Sequence, residues 1–112
     1  MRPVIEANDP LSEPVFLILT SLAEEPRHGY ALIKDIESLS SGRVRLSTGT
    51  LYGALHRLLD ANWIERYTTG DTSRDKQSYR LTKAGRARLA VDLDRLKGLT
   101  RAATARLKTK EA

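Results

Sequence analysis

The sequence has 112 residues, with 19 Lys or Arg against 14 Asp or Glu, a formal net charge of +5 and 40% apolar residues. That length suits one domain with a lean core. It contains no cysteine and only two histidines, His28 and His56, which excludes disulfide scaffolds, thiol catalysis and zinc-thiolate sites and leaves too few ligands for a histidine metal cluster.

The longest apolar run, Val15 to Leu19, is far short of the roughly 20 residues a bilayer span needs. The first ten residues, MRPVIEANDP, carry acids and prolines where a signal peptide needs an apolar stretch. The expectation is a soluble cytoplasmic protein with no membrane partner and no cofactor. Charge is spread unevenly. Residues 1–40 hold three basic and seven acidic side chains, whereas residues 83–112 hold nine and three. An acidic front and a basic rear suit a polyanion held on one side of the molecule, although a solvated helical surface gives the same pattern.

Residues 1–11 read as a mobile arm. Ser12 is a predicted N-cap, followed by Glu13 and Pro14 in a first turn that favours both. The helix runs from Glu13 to Glu25. Its apolar set (Val15, Phe16, Leu17, Ile18, Leu19, Leu22 and Ala23) wraps most of the way round, so it should be covered on more than one side. Pro26 stops it. A second helix is predicted from about Gly29 to Ser40, with Leu32, Ile33, Ile36 and Leu39 as one stripe. Ser41 and Gly42 end it. Val44 and Leu46 alternate with Arg43 and Arg45, as in a short half-buried strand or an extended link.

Ser47 is the predicted cap of a third helix that reaches about Asn62, a residue suited to a left-handed helix end. Leu51, Leu55, Leu58 and Leu59 face inward, and Thr48, Thr50, Gly53, His56, Arg57 and Asp60 are left outside. Trp63 to Thr68 and Ser78 to Leu81 are rich in strand formers and flank the polar stretch GDTSRDKQ, a hairpin too small to stand alone. Trp63 is expected to pack. Thr82 caps a long last helix in which Leu89, Leu93, Leu96, Thr100, Ala103 and Leu107 repeat at heptad-like spacing, a seam for pairing.

Helix, helix, short strand, helix, strand, loop, strand, helix is the order of a winged helix-turn-helix. The predicted fold class is therefore mainly α, an α+β winged helix-turn-helix with a two-stranded wing and a long C-terminal dimerisation helix. The expected division is an arm over 1–11, a DNA-binding domain over 12–82 and a dimerisation helix over 83–112. In this geometry the third helix enters the major groove of double-stranded DNA, N-terminal end first. Thr48 and Thr50 offer short donors and acceptors there. His56 and Arg57 reach further, and Arg can bond a guanine edge bidentately or take a phosphate. Ser47 and the N–H groups of the first turn suit a phosphate oxygen. Arg74 and Lys76 on the wing are candidate backbone contacts, although Asp71 and Asp75 offset their charge. Arg43 and Arg45 could grip phosphates or be solvated. His28 is expected to bond locally in a turn.

The segments LILTSLAEEPRHGYALIKDI, SSGRVRLSTGTLYGALHRLLDANWIERY and SYRLTKAGRARL resemble the PadR family of bacterial transcriptional regulators. The similarity spans roughly residues 14–97 and rests on HGY, S-x-G-T-L-Y and Y-R-L-T-x-x-G in that order. The resemblance implies a homodimeric winged-helix repressor of the small subgroup that ends in one long helix. It also implies a phosphate contact for Tyr52, for which a core aromatic with a surface hydroxyl is the equal alternative. Gly53 departs from the family, where proline usually follows the Leu-Tyr pair. Leu89, Leu93 and Leu96 would pair with a second copy against Phe16 and Leu19, presenting a two-fold reader to a pseudo-palindromic operator. A small hydrophobic or phenolic effector is implied near the same residues, which are also ordinary dimer-core residues. No nucleophile is tied to a base and no phosphate-binding glycine loop is present, so no enzyme is expected. The alternative from another class is a winged-helix protein-interaction module without nucleic-acid binding.

Overall fold

Ser12 opens the first helix by accepting the Val15 N–H on its Oγ at 3.3 Å. The computed structural model describes residues 9–68 and 77–111. Within them the order is α1 (Glu13–Glu24), β1 (Arg27–His28), α2 (Gly29–Leu39), α3 (Thr48–Asp60), β2 (Ile64–Tyr67), β3 (Ser78–Leu81) and α4 (Lys83–Glu111). No helix among the described residues is long and apolar enough to cross a membrane.

The helix boundaries follow from local chemistry. His28 caps α2 through Nδ1, which accepts the Ala31 N–H at 3.4 Å. At the far end of α2, Gly42 donates to the Glu37 carbonyl at 2.7 Å and Ser41 to the Ser38 carbonyl at 3.1 Å. Ser41 (φ 56°) and Gly42 (φ 82°) are left-handed. This is a Schellman ending, which closes the last orphan carbonyls. α3 ends the same way. Asn62 sits at φ 65°, and Trp63 donates to the Leu58 carbonyl at 3.0 Å.

The sheet adds one strand to the expected two-stranded wing. It has three antiparallel strands in the order β1-β3-β2. Arg27 pairs with Tyr79 and His28 with Ser78, while β2 pairs with the same strand from Ile64↔Leu81 to Tyr67↔Ser78. Pro26 forces the chain out of α1 in an extended conformation, and β3 offers it an open edge. Two residues are too few for a period-two signal. The Val44–Leu46 stretch forms no strand. It is an extended link whose two apolar side chains pack half-buried on the core, with the Val44 N–H donated to Ser40 Oγ at 2.9 Å.

The core joins α1 (Val15, Ile18, Leu19, Leu22), α2 (Leu32, Ile36), α3 (Leu51, Ala54, Leu55, Leu58) and the sheet (Ile64, Tyr79, Leu81). Leu39, expected in the α2 stripe, is the last residue of the helix and is instead 48% exposed. Ser21 and Asp35 bond across α1 and α2 at 2.5 Å, and Arg27 adds its guanidinium to Asp35 at 3.6 Å.

The start of α4 is fixed by Thr82. Its Oγ1 accepts the Gly85 N–H at 3.0 Å and donates to the Asn62 carbonyl at 2.7 Å, and its own N–H reaches the Trp63 carbonyl at 3.1 Å. The Arg88 guanidinium lies 5.2 Å from the Trp63 ring centre. Residues 9–11, expected as part of a mobile arm, are tied to α4. Arg88 donates to the Asp9 carbonyl, and the Leu11 N–H donates to buried Asp92 at 3.3 Å.

Candidate nucleic-acid interface

Leu51, Ala54, Leu55 and Leu58 recur at helical spacing and are buried, so the rest of α3 is turned to water. That arc carries Thr48, Thr50, Tyr52, His56 and Arg57, all exposed. Ser47 holds its start. Its Oγ accepts the Thr50 N–H at 3.1 Å and donates to Thr50 Oγ1 at 3.0 Å, so the two hydroxyls act as one unit. Six of the eight residues expected at a DNA surface thus share one exposed helix. Arg74 and Lys76 lie outside the described residues.

The middle of the arc is bare. A Cβ at Gly49 would meet nothing within 4 Å. One at Gly53 would lie 3.8 Å from an Arg57 guanidinium nitrogen, an ordinary contact. Replacing Gly53 with alanine should therefore raise stability by about 0.5–1 kcal/mol, the usual gain from removing a mid-helix glycine. Urea denaturation should show a higher midpoint at an unchanged slope. A lower midpoint would mean that Arg57 is more closely confined than this contact implies.

Tyr52 combines partial exposure with a packed hydroxyl. It is 38% exposed, yet a Cβ at Gly29 would stand 2.4 Å from its hydroxyl oxygen. The glycine of the HGY motif thus leaves room for the tyrosine of the S-x-G-T-L-Y motif, which locks the first turn of α2 against the middle of α3. Tyr79 is close by. Burial pushes its phenol pKa up, Tyr52 adds to the rise and Arg66 opposes it. Arg66 faces Tyr79 across the β2–β3 ladder. Its place at this locus was not visible in sequence, because it depends on the register of the two strands.

Three of the neighbouring cations are committed to acids. Arg43 makes a two-pronged pair with Glu13, which holds the Glu13 carboxyl below its ordinary pKa through the hydrogen bond from Arg43. Arg45 reaches Glu37 at 3.5 Å. These pairs account for the two link arginines as braces of the α2–α3 turn. Arg80 bonds Glu65 at 2.7 Å and stacks on Tyr67 at 4.9 Å. Among the described residues, Lys34, His56, Arg57 and Arg66 have no carboxylate partner. His28 acts locally, as the cap of α2.

The expected pairing residues separate into two groups. Leu19 is 0% exposed. It belongs to the core of its own chain and has no surface to offer a partner, a correction that follows from α1 being wrapped by α2 and the sheet. Phe16, Leu89 and Leu96 are half-buried, and Leu93 is 43% exposed. Phe16 and Leu96 line a cleft of about 410 Å³ with Leu11, Leu17 and Leu39, rimmed by Glu13, Arg43 and Arg95.

A helix-turn-helix followed by a short hairpin and one long helix is the plan of several solved regulators. The family model of the PadR-like transcriptional regulators matches residues 18–91. This chain belongs to the PadR-like family. A PadR family transcription regulator from Clostridium difficile superposes with a TM-score of 0.71 at 23% identity, over 86% of this chain and 99% of that one. A transcriptional regulator from Clostridium thermocellum gives 0.68 at 24% identity, over 81% and 89%. A PadR-like transcription factor from Bacteroides fragilis gives 0.68 at 24%, over 81% and 86%. No curated protein sequence matches the chain. These PadR-like regulators share a mainly helical winged helix-turn-helix with a small antiparallel sheet, and their work is control of transcription, not catalysis.

Proposed function

We propose that this PadR-like regulator is a homodimeric repressor that binds a pseudo-palindromic DNA site. The reading is carried by α3. Its buried leucines fix its orientation, and its exposed arc presents Thr48, Thr50, Tyr52, His56 and Arg57 in a form that fits a major groove. His56 and Arg57 read base edges, Ser47 and Tyr52 take phosphates, and Arg74 and Lys76 extend the contact from the wing. The two copies pair through α4, using Leu89, Leu93 and Leu96 against Phe16. The two reading helices then sit about 34 Å apart, one turn of duplex. Release by a small hydrophobic or phenolic effector is supported by the cleft that Phe16 and Leu96 line, next to the pairing seam.

The test is binding to duplexes that the protein selects from a random pool, measured at several salt concentrations. A selected site should bind with Kd on the order of 10⁻⁸ M and a steep negative salt slope. Arg57→Ala should reduce discrimination at particular base pairs by about 10-fold or more, whereas Lys76→Ala should weaken all sequences alike. If no sequence is enriched, the protein is not a DNA reader. If both variants act uniformly, α3 does not read bases.

A further inference from the structure

The exposed face of α2 carries an aromatic–cation pair that the assignments above leave unused. Tyr30 is 67% exposed, a large side chain left in water one residue after the buried Gly29. Lys34 follows one helical turn later, with its ammonium 5.9 Å from the Tyr30 ring centre. It is the only basic residue of α2, and it has no carboxylate partner among the described residues. The acids of the helix are engaged elsewhere, Asp35 with Ser21 and Arg27, and Glu37 with Arg45.

The position of this pair follows from two contacts already described. The Tyr52 hydroxyl is packed on Gly29, so Tyr30 stands beside the exposed arc of α3. His28 is paired with Ser78 at the base of the wing, so the same turn of α2 adjoins the hairpin. Tyr30 thus follows directly on the residue that Tyr52 packs against, and Lys34 stands one turn further along the same helix. We infer that Tyr30 and Lys34 form a backbone grip on DNA, in which the Lys34 ammonium neutralises one phosphate and the Tyr30 hydroxyl donates to the same or the adjoining phosphate oxygen.

The chemistry favours a phosphate over a base edge. An ammonium is a compact point charge suited to an oxyanion, and stacking on a tyrosine face restricts the flexible lysine stem before binding. In a helix-turn-helix the first helix of the pair crosses the sugar-phosphate backbone while the second enters the groove. Contacts of that kind set register and strength and carry no sequence information. The front of the chain is acidic in sum, with seven acids against three bases in residues 1–40, so a lysine without a carboxylate partner there creates a local positive point in a repelling field.

This inference rests on the reading of α3 as the DNA-binding helix, and the experiment separates the two. Wild-type protein, Lys34→Ala and Tyr30→Phe are titrated with the duplex that wild-type protein selects from a random pool, and with poly(dI-dC), between 50 and 200 mM salt. Lys34→Ala should weaken both duplexes by the same factor, about 3- to 10-fold, and make the log–log salt slope shallower by about one. Tyr30→Phe should weaken both by a few-fold and leave the slope unchanged. Circular dichroism checks that each variant folds; both positions are exposed, and alanine favours helix. If wild-type protein binds its selected duplex and Lys34→Ala keeps the full slope, the grip is overturned while the reading helix stands. If Lys34→Ala alters the ranking of sequences, the residue reads bases and the grip is overturned too. If wild-type protein selects nothing, both readings fall together.

Discussion

Replacing Gly85 with alanine is expected to destabilise the fold by about 3 kcal/mol, at the upper end of what an over-packed site costs. A Cβ at this position would stand 2.0 Å from the Trp63 carbonyl oxygen, 2.9 Å from its carbonyl carbon and 2.8 Å from Leu81 Cδ1. The first two obstacles are backbone and cannot swing aside. That backbone is held in place, because the same carbonyl accepts the Thr82 N–H and the Asn62 carbonyl accepts the Thr82 hydroxyl. Relief requires α4 to lift from the sheet, which also separates Arg88 from the Trp63 ring. Gly98→Ala is the matched control. It lies in the same helix with nothing within 4 Å, so it should gain about 0.5–1 kcal/mol. Urea denaturation of the two variants should shift in opposite directions. A Gly85→Ala protein as stable as wild type would mean that α4 does not start on the Trp63 carbonyl.

The three motifs that carried the family resemblance have physical explanations that connect them. HGY and S-x-G-T-L-Y meet where the Tyr52 hydroxyl takes the space of a Gly29 side chain. Y-R-L-T-x-x-G supplies the Thr82 cap and the Gly85 clearance. Helices, caps and the inward leucines of α3 were legible in the sequence because each depends on neighbours within one or two turns. Asn62 and Ser47 are instances, since an αL helix end and a hydroxyl cap are local devices. β1 was not legible, since its two residues have no pattern of their own and exist only because β3 offers an edge. Leu19 was misplaced for a related reason. Periodicity marks which α1 residues are apolar, but which side the chain itself covers is decided by α2 and the sheet. Arg43 and Arg45 were equally opaque as braces, because Glu13 lies thirty residues away in sequence from Arg43. Thr48, Thr50, His56 and Arg57 are the part of the candidate site that pattern alone predicted, whereas Tyr52 entered through the family resemblance. The site's flank on α2 emerged only when packing put Gly29 under Tyr52.

Replacing Leu93 with glutamate is expected to convert the proposed dimer to monomer and to lower affinity for a selected operator by at least about 100-fold. In the single chain Leu93 is 43% exposed, and with Leu96 and Leu107 it continues an apolar stripe along α4. Leu107 is 68% exposed, on a portion of the helix that extends past the body of the domain. The isolated fold gains little from these side chains, so the substitution should leave the thermal melt of the monomeric body nearly intact. Across a two-fold axis each substitution acts twice, and two carboxylates would have to enter an apolar seam unpaired. The loss in DNA affinity follows from geometry. Two linked reading helices bind the second half-site at high effective concentration, and separate chains lose that advantage. Analytical ultracentrifugation should give the mass of one chain for Leu93→Glu and of two for wild type. A dimeric Leu93→Glu protein would move the pairing surface away from this stripe. A monomeric wild-type protein that still binds a palindromic site tightly would remove the need for pairing at all.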